Sequence, residues 1–311
     1  MHKEQLLQCH KRIQPYIHNT AVLSSTLIND IVGASVFFKC ENFQKGGAYK
    51  MRGATNAILK LTEEQRSKGV VTHSSGNFAQ ALSLAAKSLG VTAHIIMPAN
   101  APEVKRNAVE GYGGIIYNCD AMIADREIKT EKVIAETGAT FIHPSNDMDV
   151  IYGQGTACLE LLKEHPDLDC IFAPVGGGGL IAGSALAAHY FGNDCSVIGG
   201  EPLEADDAYR SLLSGKIEYN VTTNTIADGL LTHLGDINFP IIQRHVDRII
   251  RVTEEEIVEA MRLIWERMKI IIEPSSAVAF AAVLKEKRVF KGLKVGVIIS
   301  GGNVDVSQLP F

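Results

Sequence analysis

Apolar residues along this chain fall into two alternating patterns. Short runs, rich in β-branched and aromatic side chains, occur at 36–40, 91–97, 115–117, 170–174, 197–200 and 295–299. A run that is apolar on both faces and too short for a helix reads as a strand buried on both sides. Between these runs lie longer stretches with apolar positions three and four apart, at 51–61, 78–89, 180–190 and 254–269. That spacing lays one stripe of a helix against a core. The last stretch carries its own start signal. Thr253 with Glu256 makes a capping box, and Ile257, Met261, Ile264 and Met268 follow at helical spacing. Strand and helix alternate almost throughout, which predicts an α/β fold of parallel or mixed sheets flanked by helices. No repeat, low-complexity tract or long linker interrupts the sequence, and composition marks no domain boundary.

Composition narrows the class of protein. The 311 residues are 46% hydrophobic, enough for a large core in one or two domains. A net charge of −5 leaves no basic face for nucleic acid. No apolar stretch reaches membrane length, and the first residues lack a signal-peptide core. Six cysteines, Cys9, Cys40, Cys119, Cys158, Cys170 and Cys195, are scattered without a C-x-x-C pair. They suit buried thiols in a reducing cytoplasm and neither a disulfide frame nor a zinc site.

Three segments carry chemistry. Gly176, Gly177, Gly178 and Gly179 stand between the run 170–174 and the helical stretch 180–190. With no side chains there, backbone amides and the helix dipole can close around a phosphate. No Lys-Ser/Thr pair follows, and the G-x-G-x-x-G spacing is absent, so this is neither type of nucleotide loop. A tight turn is the plainer alternative, but it needs only one or two glycines. Lys50 lies between the run 36–40 and the helical stretch 51–61. A helix start lowers an ammonium pKa and frees the amine to form a Schiff base. Taken alone, Lys50 reads better as a solvated surface charge, as most lysines at such places are. Ser74, Ser75, Gly76 and Asn77 precede the stretch 78–89. Their hydroxyls, amide and free N–H groups suit a carboxylate; a plain helix cap would need one serine.

In this order, the three segments resemble the fold-type II pyridoxal phosphate enzymes, and among them the serine racemase and serine/threonine dehydratase family. The likeness runs from about residue 6 to residue 305. It implies a two-lobed architecture like that of tryptophan synthase β. A large cofactor-binding domain would comprise 1–68 and 146–311, and a small mobile domain 69–145. Closing the small domain would exclude water from the cleft. The resemblance also implies roles. Lys50 would bind the cofactor and take the substrate α-proton. Gly176 to Gly179 would hold its phosphate, Asn77 its ring hydroxyl and Ser300 its pyridine nitrogen, with Tyr49 over the ring face. Ser74, Ser75, Gly76, Asn77 and Arg126 would hold the substrate, with Ser75 on the face opposite Lys50.

The implied reaction is dehydration and deamination of L-serine or L-threonine to an α-keto acid and ammonia. A neutral hydroxyl at Ser300 does not keep the pyridine nitrogen protonated, which favours prompt loss of the β-hydroxyl. If Ser75 donates a proton to the far face, serine racemisation shares the site. Within the class, the alternatives are a serine racemase first and a threo-3-hydroxyaspartate dehydratase, whose second carboxylate could meet Arg126. β-Replacement, as in cysteine synthases, matches the loop segments less well. A purely regulatory binding module has no use for a Schiff-base lysine. Two positions depart from the family pattern: Phe78 stands where histidine is commoner, and Ala48-Tyr49 where a Ser-Phe pair is.

Two further ligands are implied. Glu201, the carbonyl of Ala205 and Asp207 follow the run 197–200 and offer hard oxygens to Mg²⁺, or to Ca²⁺ or Mn²⁺. Without the resemblance they read as a solvated acidic loop capping a helix. Ser24, Ser25, Thr26, Gln80, Tyr112, Lys269 and Asn303 match the positions where animal serine racemases bind ATP at a homodimer interface. Each also reads as an ordinary surface or interface residue. No separate regulatory domain is expected after Phe311.

Overall fold

The computed structural model describes residues 2–311 except Pro102, Ala121 and Met122; the side chains of Val104, Ile123 and Ala124 are also outside the description. In chain order the strands are β1 (Val22–Leu23), β2 (Ser35–Cys40), β3 (Val70–His73), β4 (Ala93–Pro98) and β5 (Ile115–Cys119). They continue as β6 (Thr140–Phe141), β7 (Cys170–Pro174), β8 (Ser196–Pro202), β9 (Arg248–Val252) and β10 (Lys294–Ile299). Six of them form one sheet in the order β1-β2-β10-β7-β8-β9, and four form another in the order β5-β4-β3-β6. Every neighbouring pair is parallel except the short β1 edge, which runs antiparallel to β2. Parallel neighbours require crossovers, and helices supply them, as the alternating pattern predicts.

The predicted run at 91–97 becomes a strand only from Ala93. The preceding helix, Asn77–Ser88, ends through Gly90 at φ 68°, and the Val91 amide bonds back to the Ala86 carbonyl at 2.9 Å. Val91 is therefore spent on closing the helix. The capping box at Thr253 and Glu256 is present, and Glu254–Met268 is helical.

Glycines decide how closely the helices beside the larger sheet approach. A Cβ on Gly153 would lie 2.4 Å from the Gly53 Cα, and one on Gly155 would lie 2.5 Å from the Gly183 carbonyl oxygen. The helices Lys50–Lys60, Met148–Glu164 and Gly179–Phe191 thus meet backbone to backbone. The other side of these helices rests on a charged cluster. Arg52 is fully buried, with Nε 2.6 Å from Glu41 Oε2 and Nη2 2.6 Å from Glu160 Oε2. Lys39, also fully buried, reaches Glu160 at 2.8 Å and the Thr20 carbonyl at 2.7 Å.

Candidate active site

The chemistry-bearing residues gather at the carboxyl ends of parallel strands, where the main-chain crossovers leave a crevice. Gly176–Gly179 follow β7, Ser300 follows β10, and Ser74–Asn77 follow β3. The segment His143–Asn146 follows β6.

Lys50 is the first residue of its helix. Its amine donates to the Pro144 carbonyl at 2.9 Å. It lies 5.1 Å from the centre of the Tyr49 ring and 5.6 Å from that of Phe78. Burial pulls this amine down to about 8, opposed by the nearby Glu273. Enclosure, more than the helix dipole invoked from sequence, lowers its proton affinity, because burial disfavours the charged form. The alternative of a solvated surface lysine does not hold.

The loop carrying Lys50 is stitched to the loop after β10. The Tyr49 amide donates to the Ser300 carbonyl and the Gly302 amide to the Gly47 carbonyl, each at 2.9 Å. Ser300 is almost fully buried, and its hydroxyl pairs with that of Ser276 at 3.0 Å. Ser276 Oγ in turn accepts the Gly301 amide at 2.7 Å. Burial pushes the Tyr49 hydroxyl up, so it stays neutral.

In the glycine loop, Gly178 adopts φ 79°, and a Cβ there would lie 2.6 Å from Leu234 Cδ2, so only glycine fits. The amides of Gly176 to Gly179 find no acceptor among the described residues. Four orphan donors at a helix start form an anion cradle. The carbonyl of Gly177 is fixed by Asn238, at 2.8 Å.

Asn77 opens the Asn77–Ser88 helix. Its Nδ2 donates to Glu273 Oε1 at 2.8 Å, and its Oδ1 accepts from Asn303 Nδ2 at 3.0 Å. Glu273 is buried, and burial followed by the charge of Asp228 pushes its carboxyl up to about 8. The cap of this helix is Gly76, and no side chain bonds into the helix start. Ser74 Oγ accepts the Gly76 amide at 3.3 Å within the loop. The plain-cap alternative therefore fails, and the amides of Ser75, Asn77 and Phe78 keep no acceptor among the described residues. Ser75 is half-buried, and its hydroxyl makes no hydrogen bond to them. Phe78 is fully buried, an apolar wall beside the Lys50 amine. Arg126, on the helix Ile123–Thr137, has a buried Nε without a partner among the described residues; burial and then the Arg126 charge lower His73.

The profile of the pyridoxal-phosphate dependent enzyme family matches residues 13–301. The chain belongs to that family. It is 52% identical over 98% of its length, and 96% of the relative's, to a serine racemase of Dictyostelium discoideum. It is 47% identical to a beta-hydroxyaspartate dehydratase of Paracoccus denitrificans, covering 99% of this chain and 98% of that one. A solved threonine deaminase from T.th. superposes with a TM-score of 0.93 at 39% identity, over 98% of this chain and 99% of that one. The protein is thus a pyridoxal-phosphate dependent enzyme of the serine racemase and dehydratase family, with the fold-type II architecture expected from sequence. The residues fit the cofactor on three observations. An amine of lowered proton affinity is enclosed, four orphan amides stand ready for a phosphate, and a buried neutral hydroxyl pair, Ser300 with Ser276, suits an unprotonated ring nitrogen.

Elsewhere lie the residues expected to hold a cation and a nucleotide. Glu201 and Asp207 are fully buried, so these two carboxylates are not solvated, although Glu204 between them is exposed. Glu201 accepts the Ala208 and Tyr209 amides at 2.9 and 2.8 Å, capping the helix Asp207–Ser214 from β8. Asp207 Oδ2 accepts the Leu234 amide at 3.2 Å, while its Oδ1 is buried without a partner among the described residues. Of the seven residues matched to ATP, no two share a hydrogen bond. Ser25 caps the helix Thr26–Val32, Lys269 caps Glu254–Met268 in the left-handed region, and Gln80 is buried. Ser24 and Thr26 are exposed, Tyr112 is half-buried, and Asn303 alone joins the site, through Asn77. Glu273, Ser276 and the turn His143–Asn146 went unread in the sequence. Their one signal is position, just beyond a strand's carboxyl end or beside such a residue.

Proposed function

We propose that the enzyme converts L-serine and L-threonine to α-keto acid and ammonia, with serine racemisation as a second outcome at the same site. One observation carries this: the Lys50 amine and the glycine loop with its four orphan amides both meet a single turn, His143–Asn146, the amine at the Pro144 carbonyl and Gly177 and Gly179 against Ser145, as suits a lysine-bound phosphate cofactor. The cofactor supplies an electron sink for the pair released at the α-carbon. It would be held by Lys50, Tyr49, Asn77, Gly176 to Gly179 and Ser300. The free amides of Ser75, Asn77 and Phe78 bind the substrate carboxylate, together with Ser74 and Gly76. Lys50, neutral near pH 8 once released, takes the α-proton on one face; Ser75 exchanges a proton on the other.

A second reading, threo-3-hydroxyaspartate as substrate, is favoured by Arg126. Its buried Nε, without a partner among the described residues, suits a second carboxylate. Proton NMR in D₂O with cofactor, Mg²⁺ and each amino acid tests both. Keto acid as the main product, fastest from serine or threonine, supports the first. Preference for hydroxyaspartate supports the second, and α-deuterated D-serine with little pyruvate makes it a racemase first.

The reading extends to a divalent cation, Mg²⁺ with Ca²⁺ or Mn²⁺ as alternatives, at Glu201, Asp207 and the Ala205 carbonyl. The orphaned Asp207 Oδ1 supports it. Among the described residues no three His, Cys, Asp or Glu side chains gather, so carbonyl and water oxygens would complete the shell. We also infer a cytoplasmic homodimer activated by ATP, checked by sedimentation and by nucleotide titration of the rate. Among the described residues no helix is long and apolar enough to cross a membrane.

A further inference from the structure

The Lys50 amine and the glycine loop belong to different elements, and one short turn touches both. The Pro144 carbonyl receives the amine. Ser145 backs the loop. A Cβ on Gly177 would lie 2.4 Å from Ser145 Oγ, and one on Gly179 would lie 3.0 Å from the Ser145 Cα. Asn238 clips the turn to the loop, donating to the carbonyls of Ser145 at 3.2 Å and Gly177 at 2.8 Å. Asn146 anchors the other end on Asp236, at 2.8 Å, and on the Ile237 amide, at 2.9 Å.

What bends this turn is a side chain. His143 Nδ1 accepts two backbone amides, from Ser145 at 3.1 Å and from Asn146 at 2.8 Å. A nitrogen that accepts two N–H donors carries no proton, so the ring is neutral with its hydrogen on Nε2. The ring stands edge-on to His73 and Phe141, at 5.8 and 6.1 Å between centres, which holds its plane. Burial, followed by the charges of His73 and Lys50, pulls its proton affinity down to about 4, consistent with that tautomer.

We propose that His143 is a positioning residue for the cofactor lysine. Its Nδ1 folds the 143–146 turn so that the Pro144 carbonyl meets the Lys50 amine while Ser145 supports the glycine loop. This rests on Lys50 being the cofactor lysine. An asparagine places an acceptor at nearly the same distance from the backbone as Nδ1; a glutamine places it one bond further, as Nε2 is. The test compares wild type, His143→Asn and His143→Gln. Cofactor-free protein is mixed with pyridoxal phosphate, and the rate of imine formation is read by absorbance, with borohydride trapping at Lys50 by mass. Steady-state kcat and KM follow.

Expected is a loss in His143→Gln on the order of ten- to a hundred-fold in imine formation and kcat, with KM little changed. His143→Asn should stay within roughly threefold of wild type, since it keeps one of the two bonds. Equal rates in the two variants overturn the proposal. Failure of wild type to trap cofactor at Lys50 overturns the function reading instead. If neither variant folds, ¹⁵N NMR of histidine in the wild type decides. An Nε2–H tautomer at His143 through neutral pH upholds the role, and an Nδ1–H form or imidazolium refutes it.

Discussion

Two groups of charge are buried beside the larger sheet, and they are balanced in opposite ways. Beneath the Lys50 helix, Arg52 and Lys39 meet Glu41 and Glu160, two cations with two carboxylates, all but out of water. Burial alone would raise Glu160, but hydrogen bonds from His10 and Arg52 hold its carboxyl well below the ordinary range. Beyond β8, Glu201 and Asp207 are as deeply buried, and among the described residues neither makes an ion pair; Arg210, whose charge bears on Asp207, pairs with Asp206. Burial and then Asp207 raise Glu201 well above its usual value, and burial pushes Asp207 up to about 6. Burying ions is costly, and partners of opposite charge offset that cost. The first group is therefore complete within the chain and acts as a brace. The second has no ion-pair partner among the described residues, and burial favours the neutral form of its carboxyls.

Breaking the brace has the largest expected effect. Arg52→Met leaves the buried Glu41 without a cation and Glu160 with Lys39 and His10, and should destabilise the fold by about 3–5 kcal/mol. The measurement is the shift of a urea unfolding midpoint. A shift as small as that of a surface substitution would remove the distinction between the two groups.

The cation is tested next by pH. The folded Asp207 sits near 6 against an ordinary 3.8, so the fold favours its protonated form. That contribution is fully present below 3.8 and is lost as pH rises through 6. Without divalent cation, stability should therefore fall by about 2 kcal/mol between pH 4 and pH 7 relative to the Mg²⁺-loaded protein. Calorimetry with EDTA or with Mg²⁺ reads the difference. Superimposable curves would mean that no cation binds there. A smaller effect comes from Asp207→Asn, which should abolish the response to Mg²⁺. With EDTA at about pH 7.5 it should be more stable than wild type by about 1–3 kcal/mol, as a neutral isostere in a site without a cation.

The smallest effect marks the exposed end of the scale. Lys105, on the helix Glu103–Gly111, pairs with Asp228 in the large-sheet part of the chain, and both are partly solvated. Lys105→Ala should cost at most about 1 kcal/mol in stability. Because the pair links the two sheets' units beside Glu273, we expect its loss to show as a raised KM and a salt-insensitive rate instead. An unchanged KM would leave it a surface contact.

Much of the site was legible because its parts are local. Four glycines between a buried strand and a helix form an anion cradle wherever such a junction occurs, and a lysine or asparagine at a helix start is adjacent to that start in sequence. Glu273 was illegible because it meets Asn77 across 196 positions, and Arg52 because Glu160 lies 108 away. No periodicity encodes such pairs. His143 is a subtler case. Its two acceptor bonds are local, but they matter only because Pro144 meets Lys50, 94 residues earlier.

By itself the sequence determined which stretches become strands and helices, where each helix starts, and which residue types stand at the strand ends. Those follow from apolar spacing, capping chemistry and the backbone freedom of glycine, all set within a few residues. The tertiary structure decided the ionisation of those residues. Enclosure between Tyr49 and Phe78 makes Lys50 a readily neutral amine, and burial pushes the Asp207 carboxyl up to about 6. Both depend on how much water the rest of the chain removes from around a charge, which only the packed fold sets.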